Sequence, residues 1–185
     1  MMAEVLRQAY DEQGRPITGK GLTKAESFSG ILHGASHVWI WRRGKDELEI
    51  LLQIRSMNKV SWQGLHDISA AGHIDLDESP LDAAIREPRE EIGLEIDADH
   101  LTNFGVYRAY MKMENGLIEN EFQWLYLYEL IGDVELTLEE SEVESVMWRP
   151  LDTFLKEIQD GAIDYVPHGE VYFAMLREAL ETAMA

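Results

Sequence analysis

The chain has 185 residues, of which 45% are hydrophobic and 28% are charged, and it contains no cysteine. This length suits a single domain, no run reaches the roughly 18 apolar residues of a membrane span, and a disulfide framework is excluded. With 35 acidic against 16 basic residues, the net charge of -19 disfavours binding to a nucleic acid polymer. We therefore expect a soluble protein of the reducing cytoplasm with no membrane partner.

The N-terminal part of the chain is predicted to contain strands that form hairpins. Residues 4–10 are a candidate strand followed by a turn at 11–14, and the polar segment up to about Ser29 is expected to be a loop. The segments HVWIWRR (residues 37–43) and LEILLQIRS (residues 48–56) flank a Gly-Lys-Asp turn. That pattern is typical of a β-hairpin.

The central part is predicted to contain a short strand and a helix. HDISAAGHI (residues 66–74) is the strand candidate, and Ser79 and Pro80 are placed to begin a helix that ends at Gly93. Residues spaced 3, 4 and 7 apart predict the apolar face of this helix. They are Leu81, Ala84, Ile85 and Pro88.

The C-terminal part alternates long strand candidates with two helices. The strand candidates are residues 104–113, 121–130 and 143–150, and the helices are residues 151–160 and about 169–184. Strands outnumber helices, and their order is mixed. This favours an α/β sandwich with a mixed sheet over a doubly wound parallel sheet.

One segment combines helical periodicity with clustered acids: GHIDLDESPLDAAIREPREEIGLEI (residues 72–96). Glu87, Glu90 and Glu91 are related by i, i+3 and i+4, so a helix places their carboxylates on one face. Without a cation these charges repel, whereas Mg²⁺ prefers oxygen ligands and commonly bridges carboxylates to phosphates. The spacing predicts a Mg²⁺ or Mn²⁺ site, and Arg86 is placed to restrain Glu90 or contact a phosphate.

Seven residues in this segment resemble the Nudix box in their order and intervals. They are Gly72, Glu78, Arg86, Glu87, Glu90, Glu91 and Gly93. The resemblance implies a Nudix-type α/β/α sandwich with a mixed sheet, in which residues 72–94 form a loop, a helix and a loop. It also implies that Glu87, Glu90 and Glu91 bind the metal, with the carbonyl of Gly72 as a further candidate ligand. Glu78 is expected to be a cap or a hydrogen-bond anchor.

The resemblance further implies hydrolysis of a small diphosphate compound, such as a nucleoside diphosphate linked to another group. Water attacks a phosphorus atom, the metal neutralises developing charge, and a carboxylate takes the proton. Glu90 in the box and Glu121 outside it are the candidate catalytic carboxylates, and Arg86 is expected to act mainly as an orienting group.

Segments outside the box look like those of isopentenyl-diphosphate isomerase and its bacterial Nudix relatives. They are ILHGASHVWIW, LLQIRSMNKVSWQGLHDISAAGHI and ENEFQWLYLY, within roughly residues 30–129. The isomerase is therefore an alternative, but its catalytic cysteine is replaced here by Ala71. His33, His73, Glu119 and Glu121 resemble metal-binding or catalytic positions of the isomerase. Of the two glutamates, Glu121 is the preferred candidate for a base or an additional metal ligand. We expect the two histidines to be structural or to contact the substrate.

Pro88 stands where the Nudix pattern normally carries an aliphatic residue. It removes the hydrogen bond to the carbonyl of Ala84 and disfavours helical dihedrals at Glu87. We expect a helix that kinks at Pro88 but keeps a competent site. The alternative is a diphosphate-binding module that has lost its chemistry.

The whole chain is expected to form one Nudix domain. Residues 1–29 would be an N-terminal extension, residues 30–150 the core and residues 151–185 the C-terminal helices, and a homodimer through the N-terminal strands is compatible with the sequence. The tryptophans of the strand candidates are expected in the core, and Arg55 and Lys59 are solvated by default, although they could contact an anionic substrate.

Overall fold

The computed structural model describes residues 4–161 and 164–184. Its elements in chain order are β1 (Arg7–Tyr10), β2 (Pro16–Leu22), α1 (Lys24–Ser27), β3 (His33–Arg43), β4 (Leu48–Arg55), β5 (His66–Asp67), β6 (Ala70–His73), α2 (Pro80–Ile92), β7 (Leu101–Lys112), β8 (Ile118–Glu129), β9 (Val143–Pro150), α3 (Leu151–Asp160) and α4 (Glu170–Met184). None of the helices among these residues combines the length and the apolar character that crossing a membrane requires.

Strand β3 is the centre of a mixed sheet. It pairs in parallel with β8 and antiparallel with β4 and β6. Strand β8 also pairs antiparallel with β7, and β4 pairs antiparallel with β5 and β9. The parallel register places His33 of β3 opposite Glu121 of β8.

Helices cover both faces of this sheet. Trp39 and Trp41 of β3 belong to a buried cluster that also contains residues of α3 and α4. Val38 and Ile40 belong to a second cluster that contains residues of α2. Because successive side chains of a strand point to opposite faces, β3 is buried between two helical layers. The predicted α/β/α sandwich with a mixed sheet is confirmed.

Helix α2 begins and ends at the predicted residues. The Ser79 hydroxyl accepts the N–H of Asp82, and the Asp82 carboxylate accepts the N–H of Ser79, which makes a capping box. Gly93 adopts the left-handed conformation with φ of 69° and donates its N–H to the carbonyl of Pro88. The helix continues through Pro88 to Ile92, so the proline does not end it.

The buried face of α2 differs from the predicted apolar face. Leu81 is 41% exposed, whereas two alanines, two glutamates, a proline and an isoleucine are buried. They are Ala83, Ala84, Glu87, Pro88, Glu91 and Ile92. Small alanines let the helix pack closely on β3 and β6, and this orientation turns two carboxylates inward. The prediction that Leu81 lies on the buried face of α2 is wrong, because hydrophobicity alone does not determine which face of the helix packs on the sheet.

The segment predicted as a loop up to Ser29 contains β2 and α1. Strand β2 is exposed over most of its length and pairs with β1 through its backbone, so it lacks the alternating pattern that predicts a strand. Helix α1 is capped by Thr23, whose hydroxyl accepts the N–H of Glu26. The turn at residues 11–14 is confirmed, since Gly14 donates its N–H to the carbonyl of Asp11.

The strand predicted at residues 66–74 is divided into β5, which pairs with β4, and β6, which pairs with β3. Ser69 lies between them and joins the two partner strands. Its hydroxyl accepts the N–H of Ile40 and donates to the carbonyl of Leu51. Asp67 of β5 and Gly72 of β6 both line the same cleft.

Candidate active site

A cleft of about 860 Å³ contains all of the residues predicted to form the site. Helix α2, strands β6 and β8 and the segment between α3 and α4 contribute to its walls. The predicted residues in its lining are Gly72, Arg86, Glu87, Glu90, Glu91 and Glu121. Residues separated by up to 49 positions in the chain thus line one cleft.

Glu87 and Glu91 are the buried carboxylates of α2. Glu91 Oε2 accepts hydrogen bonds of 3.1 Å from Gln53 Nε2 and from the N–H of Ala71. A Cβ atom at Gly72 would lie 2.0 Å from the Glu87 carboxyl group, so only glycine permits this approach. Burial, with the neighbouring charge of Glu91, raises the pKa of Glu87 to about 8, and burial raises the pKa of Glu91 to about 7.

Arg86 forms hydrogen bonds with three glutamates of the box. Its Nε and Nη2 donate to the two carboxylate oxygens of Glu78, each at 2.8 Å, in a bidentate pair. Its Nη1 donates to Glu87 Oε1 at 2.6 Å and to Glu90 Oε2 at 3.1 Å. Glu78 also accepts the N–H of Asp75. The geometry makes Glu78 an anchor for Arg86, and Arg86 an orienting group for two of the predicted ligands.

Glu90 differs from the other two glutamates because its side chain is 52% exposed. It contacts Arg86 on the same helix and lines the cleft. Ionising the exposed carboxylate of Glu90 has a small free-energy cost. Ionising Glu87 and Glu91, which are buried on one helix face, is unfavourable without a cation. The donor set of hard oxygens therefore fits a divalent cation.

A second cluster of candidate ligands surrounds Glu121. One ligand atom each from His33, His73 and Glu121 lies within 4.8 Å of the others. His33 Nδ1 is 2.8 Å from the carbonyl of Ile31, which can only accept, so Nδ1 carries a proton. The other ring nitrogen, Nε2, is buried and lies 3.1 Å from Glu121 Oε1.

Because a carboxylate oxygen can only accept, a proton or a cation must lie between Glu121 Oε1 and His33 Nε2. His73 Nε2 completes the group with a contact of 3.1 Å to the same oxygen of Glu121. Burial lowers the pKa of His73 to about 4, so this ring is neutral near pH 7. The histidines were expected to be structural or to contact substrate, and the structure places both against the candidate base.

A family model described as NUDIX domain matches residues 32–169. The chain belongs to the Nudix family. The match includes the whole box and both walls of the cleft that carry the two carboxylate clusters.

Nudix hydrolase 3 of Arabidopsis thaliana is 35% identical over 143 residues, which are 75% of this chain but only 18% of that protein. The isopentenyl-diphosphate Delta-isomerase of Jannaschia sp. is 30% identical over 143 residues, 77% of this chain and 78% of the isomerase. The crystal structure of DR0079 from Deinococcus radiodurans superposes with a TM-score of 0.68 and 16% identity, covering 94% of this chain and 98% of that one. The predicted Nudix membership and isomerase-like branch are confirmed.

Two features of this Nudix chain were not found by sequence reasoning. Gln53 and Gln123 donate to the carboxylates of Glu91 and Glu121, respectively. His168, in the segment after α3, lies against Asp67, which is 101 positions earlier. No short motif carries this information, because pairing of the sheet and packing of the C-terminal helices create these contacts.

Proposed function

We propose that this Nudix protein is a hydrolase that uses Mg²⁺ or Mn²⁺ to cleave the diphosphate linkage of a small molecule. The observation that carries the proposal is the burial of Glu87 and Glu91 beside Gly72, with Arg86 bound to Glu87 and Glu90. Such an arrangement is costly in the absence of a cation, and its oxygen donors match the preference of Mg²⁺.

The carboxylates of Glu87, Glu90 and Glu91 and the carbonyl of Gly72 would hold the cation. When bound, it would neutralise charge on the diphosphate oxygens and make a water molecule more acidic. Arg86 fixes Glu87 and Glu90 in place, and Gln53 and the N–H of Ala71 fix Glu91. These contacts position the carboxylates before the substrate binds, which avoids reorganisation during the reaction.

Hydrolysis forms a bond from a water oxygen to phosphorus and breaks the bond from that phosphorus to the bridging oxygen. A proton of the attacking water must pass to a base. We assign this role to Glu121, which is buried and lines the cleft. Burial alone would raise the pKa of Glu121, but the contacts with His33 and His73 hold it well below the ordinary value, so the carboxylate is ionised.

The cleft contains basic side chains beside its carboxylates, although the chain has a net charge of -19. Arg7, Lys24, Arg55 and Lys59 line the cleft. Arg55 is engaged with Asp67, and Lys59 with Glu142. Arg7 instead donates to the Ser27 hydroxyl and lies over the Phe28 ring, and no carboxylate of the described residues pairs with it. The guanidinium of Arg7 is therefore placed to bind a phosphate group of the substrate.

The second candidate function is isomerisation of a prenyl diphosphate. The cluster of His33, His73 and Glu121 favours it, together with the identity to the Jannaschia isomerase. Ala71, at the position that resembles the isomerase cysteine, has only a methyl side chain and cannot transfer a proton. This replacement makes hydrolysis the better supported function.

A substrate panel tests the proposal. Dinucleotides, nucleoside diphosphate sugars, coenzyme A derivatives and prenyl diphosphates would each be incubated with the protein, with and without Mg²⁺. We expect Mg²⁺-dependent release of phosphate or of a nucleoside monophosphate from at least one compound. Migration of a double bond without phosphate release would instead identify an isomerase, and tight binding without turnover of any compound would identify a binding module.

A further inference from the structure

The segment between α3 and α4 contributes a hydrogen-bonded histidine to the lining of the cleft. His168 lies in the segment between α3 and α4, and its Nε2 is 2.9 Å from Asp67 Oδ1. The other oxygen of Asp67 accepts Arg55 Nη1 at 2.7 Å. Asp67 is buried, and the side chain of His168 is 10% exposed and lines the cleft.

These contacts fix the tautomer of His168. Burial acts to raise the pKa of Asp67, but the hydrogen bond with His168 and the charge of Arg55 outweigh burial and hold this pKa well below its ordinary value. An ionised carboxylate can only accept, so Nε2 of His168 carries a proton. In the tautomer with the proton on Nε2, Nδ1 carries a lone pair, and it has no hydrogen-bond partner among the described residues.

The ring of His168 is also fixed in orientation. It stacks on Tyr172 with ring centroids 4.6 Å apart and an interplanar angle of 24°. Tyr172 is fully buried, and its hydroxyl contacts Trp39 Nε1 at 3.0 Å and His37 Nδ1 at 2.9 Å. Asp67, which contacts Nε2 at one edge of the ring, and Tyr172, which stacks on its face, therefore fix the position of the acceptor atom Nδ1.

We propose that His168 is a specificity-determining residue whose Nδ1 accepts a hydrogen bond from a hydroxyl of the group that is linked to the diphosphate. This inference rests on the proposed hydrolase function and deepens it. A substrate with a hydrocarbon at this position would remove water from Nδ1 without replacing the hydrogen bond, which is unfavourable. A site built to bind a hydroxyl rejects an analogue that lacks it more strongly than a hydrophobic pocket rejects a change of size.

The competing interpretation is that His168 only anchors its segment to β5. A matched pair of compounds separates the two: ADP-ribose, and an ADP methyl ester that has the same nucleoside diphosphate but no hydroxyl on its second group. The variant His168→Phe keeps a ring that stacks on Tyr172 and removes the acceptor. His66→Phe is the matched control, because His66 contacts the carbonyl of Asp164 near the same segment but does not line the cleft.

We expect His168→Phe to lower kcat/KM for ADP-ribose by about 10- to 100-fold, mainly through KM, and to leave the value for the methyl ester nearly unchanged. His66→Phe should change neither value. Equal losses for both compounds, or a lower melting temperature with an unchanged preference, would overturn the inference and assign His168 an anchoring role.

Failure of the proposed hydrolase function is distinguishable from failure of this inference. If the wild-type protein releases no AMP from either compound, calorimetric binding of the same pair tests His168 directly. The inference then predicts tighter binding of ADP-ribose than of the methyl ester, and loss of this difference in His168→Phe. Equal binding of the two compounds, or no binding of either, overturns it.

Discussion

Glu119 and Glu121 are two residues apart on β8 and line the same cleft, yet the pKa values of their carboxyl groups are shifted in opposite directions. Burial, with the charge of Glu121, raises the pKa of Glu119 to about 7. Glu121 is more deeply buried, but its contacts with His33 and His73 hold its pKa low. At neutral pH Glu121 is thus fully ionised, whereas Glu119 is partly protonated.

The first prediction compares the two glutamates. We expect Glu121→Gln to slow Mg²⁺-dependent hydrolysis by about 10² to 10⁴, the usual contribution of a general base, and Glu119→Gln to slow it less. Mg²⁺ affinity should change less in Glu121→Gln than in Glu90→Gln. Steady-state rates at saturating Mg²⁺ and metal titrations measure both quantities. Equal rates near that of the wild type would remove Glu121 from the mechanism.

The second prediction concerns His37, which burial keeps neutral by lowering its pKa to about 3. The unfolded chain binds a proton at this residue below about pH 6.5, and the folded chain does not. The contribution of neutral His37 to stability is therefore complete above pH 6.5 and is lost as the pH falls toward 3. Between pH 7 and pH 5 the loss from this one group is about 2 kcal/mol.

Denaturant unfolding of the wild type and of His37→Asn at pH 7 and pH 5 tests this value. Asparagine can still accept the Tyr172 hydroxyl, but it does not titrate. The raised pKa values of Glu87, Glu91 and Glu119 act in the opposite direction and are common to both proteins, so the difference between the two pH dependences isolates His37. The same pH dependence in both proteins would show that His37 is not held neutral.

At the scale of elements, α2 contains both the metal-site candidates and a proline. Pro88 is buried in a helix that runs without interruption from Pro80 to Ile92. An interior proline removes the hydrogen bond to the carbonyl four residues earlier, here that of Ala84, at a cost of about 3 kcal/mol. The residue before it, Glu87, is a candidate ligand, so the cost falls close to the site.

The third prediction is that Pro88→Ala raises the melting temperature by several degrees and tightens Mg²⁺ binding, since the restored hydrogen bond stabilises the turn that carries Glu87. Pro80→Ala is the matched control, because a proline in the first helical turn removes no intrahelical hydrogen bond. Thermal melts and Mg²⁺ titrations of the three proteins measure the effect. If Pro88→Ala melts no higher than the wild type and binds Mg²⁺ equally well, the native helix already accommodates the proline.

The elements differ in how far the sequence predicted them. Helix α2 could be bounded at both ends because Ser79, Pro80 and Gly93 act locally, through a cap, a first-turn proline and a left-handed glycine. Strand β2 could not be predicted, because its pairing with β1 uses backbone groups that have no signature in the side chains. The buried face of α2 was predicted only in part: Ala84 and Pro88 are buried and Leu81 is exposed, and packing on the sheet turns Glu87 and Glu91 inward as well.

At the scale of the whole molecule, the sequence placed the three glutamates of the box together because one helix holds them. His33, His73 and Glu121 are brought together by strand pairing. Strand β3 pairs in parallel with β8 and antiparallel with β6. The contact of Asp67 with His168 depends on the position of the last two helices. Resemblance to the isomerase indicated the first group by analogy, and only the tertiary structure showed the second.

The proposed hydrolysis depends on a metal centre formed by the residues of the box. The most direct test is the Mg²⁺-dependent release of phosphate or of a nucleoside monophosphate by the wild type, Glu90→Gln and Glu91→Gln, with Glu95→Gln as an exposed control on the same segment. We predict that Glu90→Gln and Glu91→Gln each lose most of the turnover at saturating Mg²⁺, while their metal-free stability holds or rises because repulsion is relieved. Glu95→Gln should match the wild type. Turnover near that of the wild type in both box variants would contradict the account.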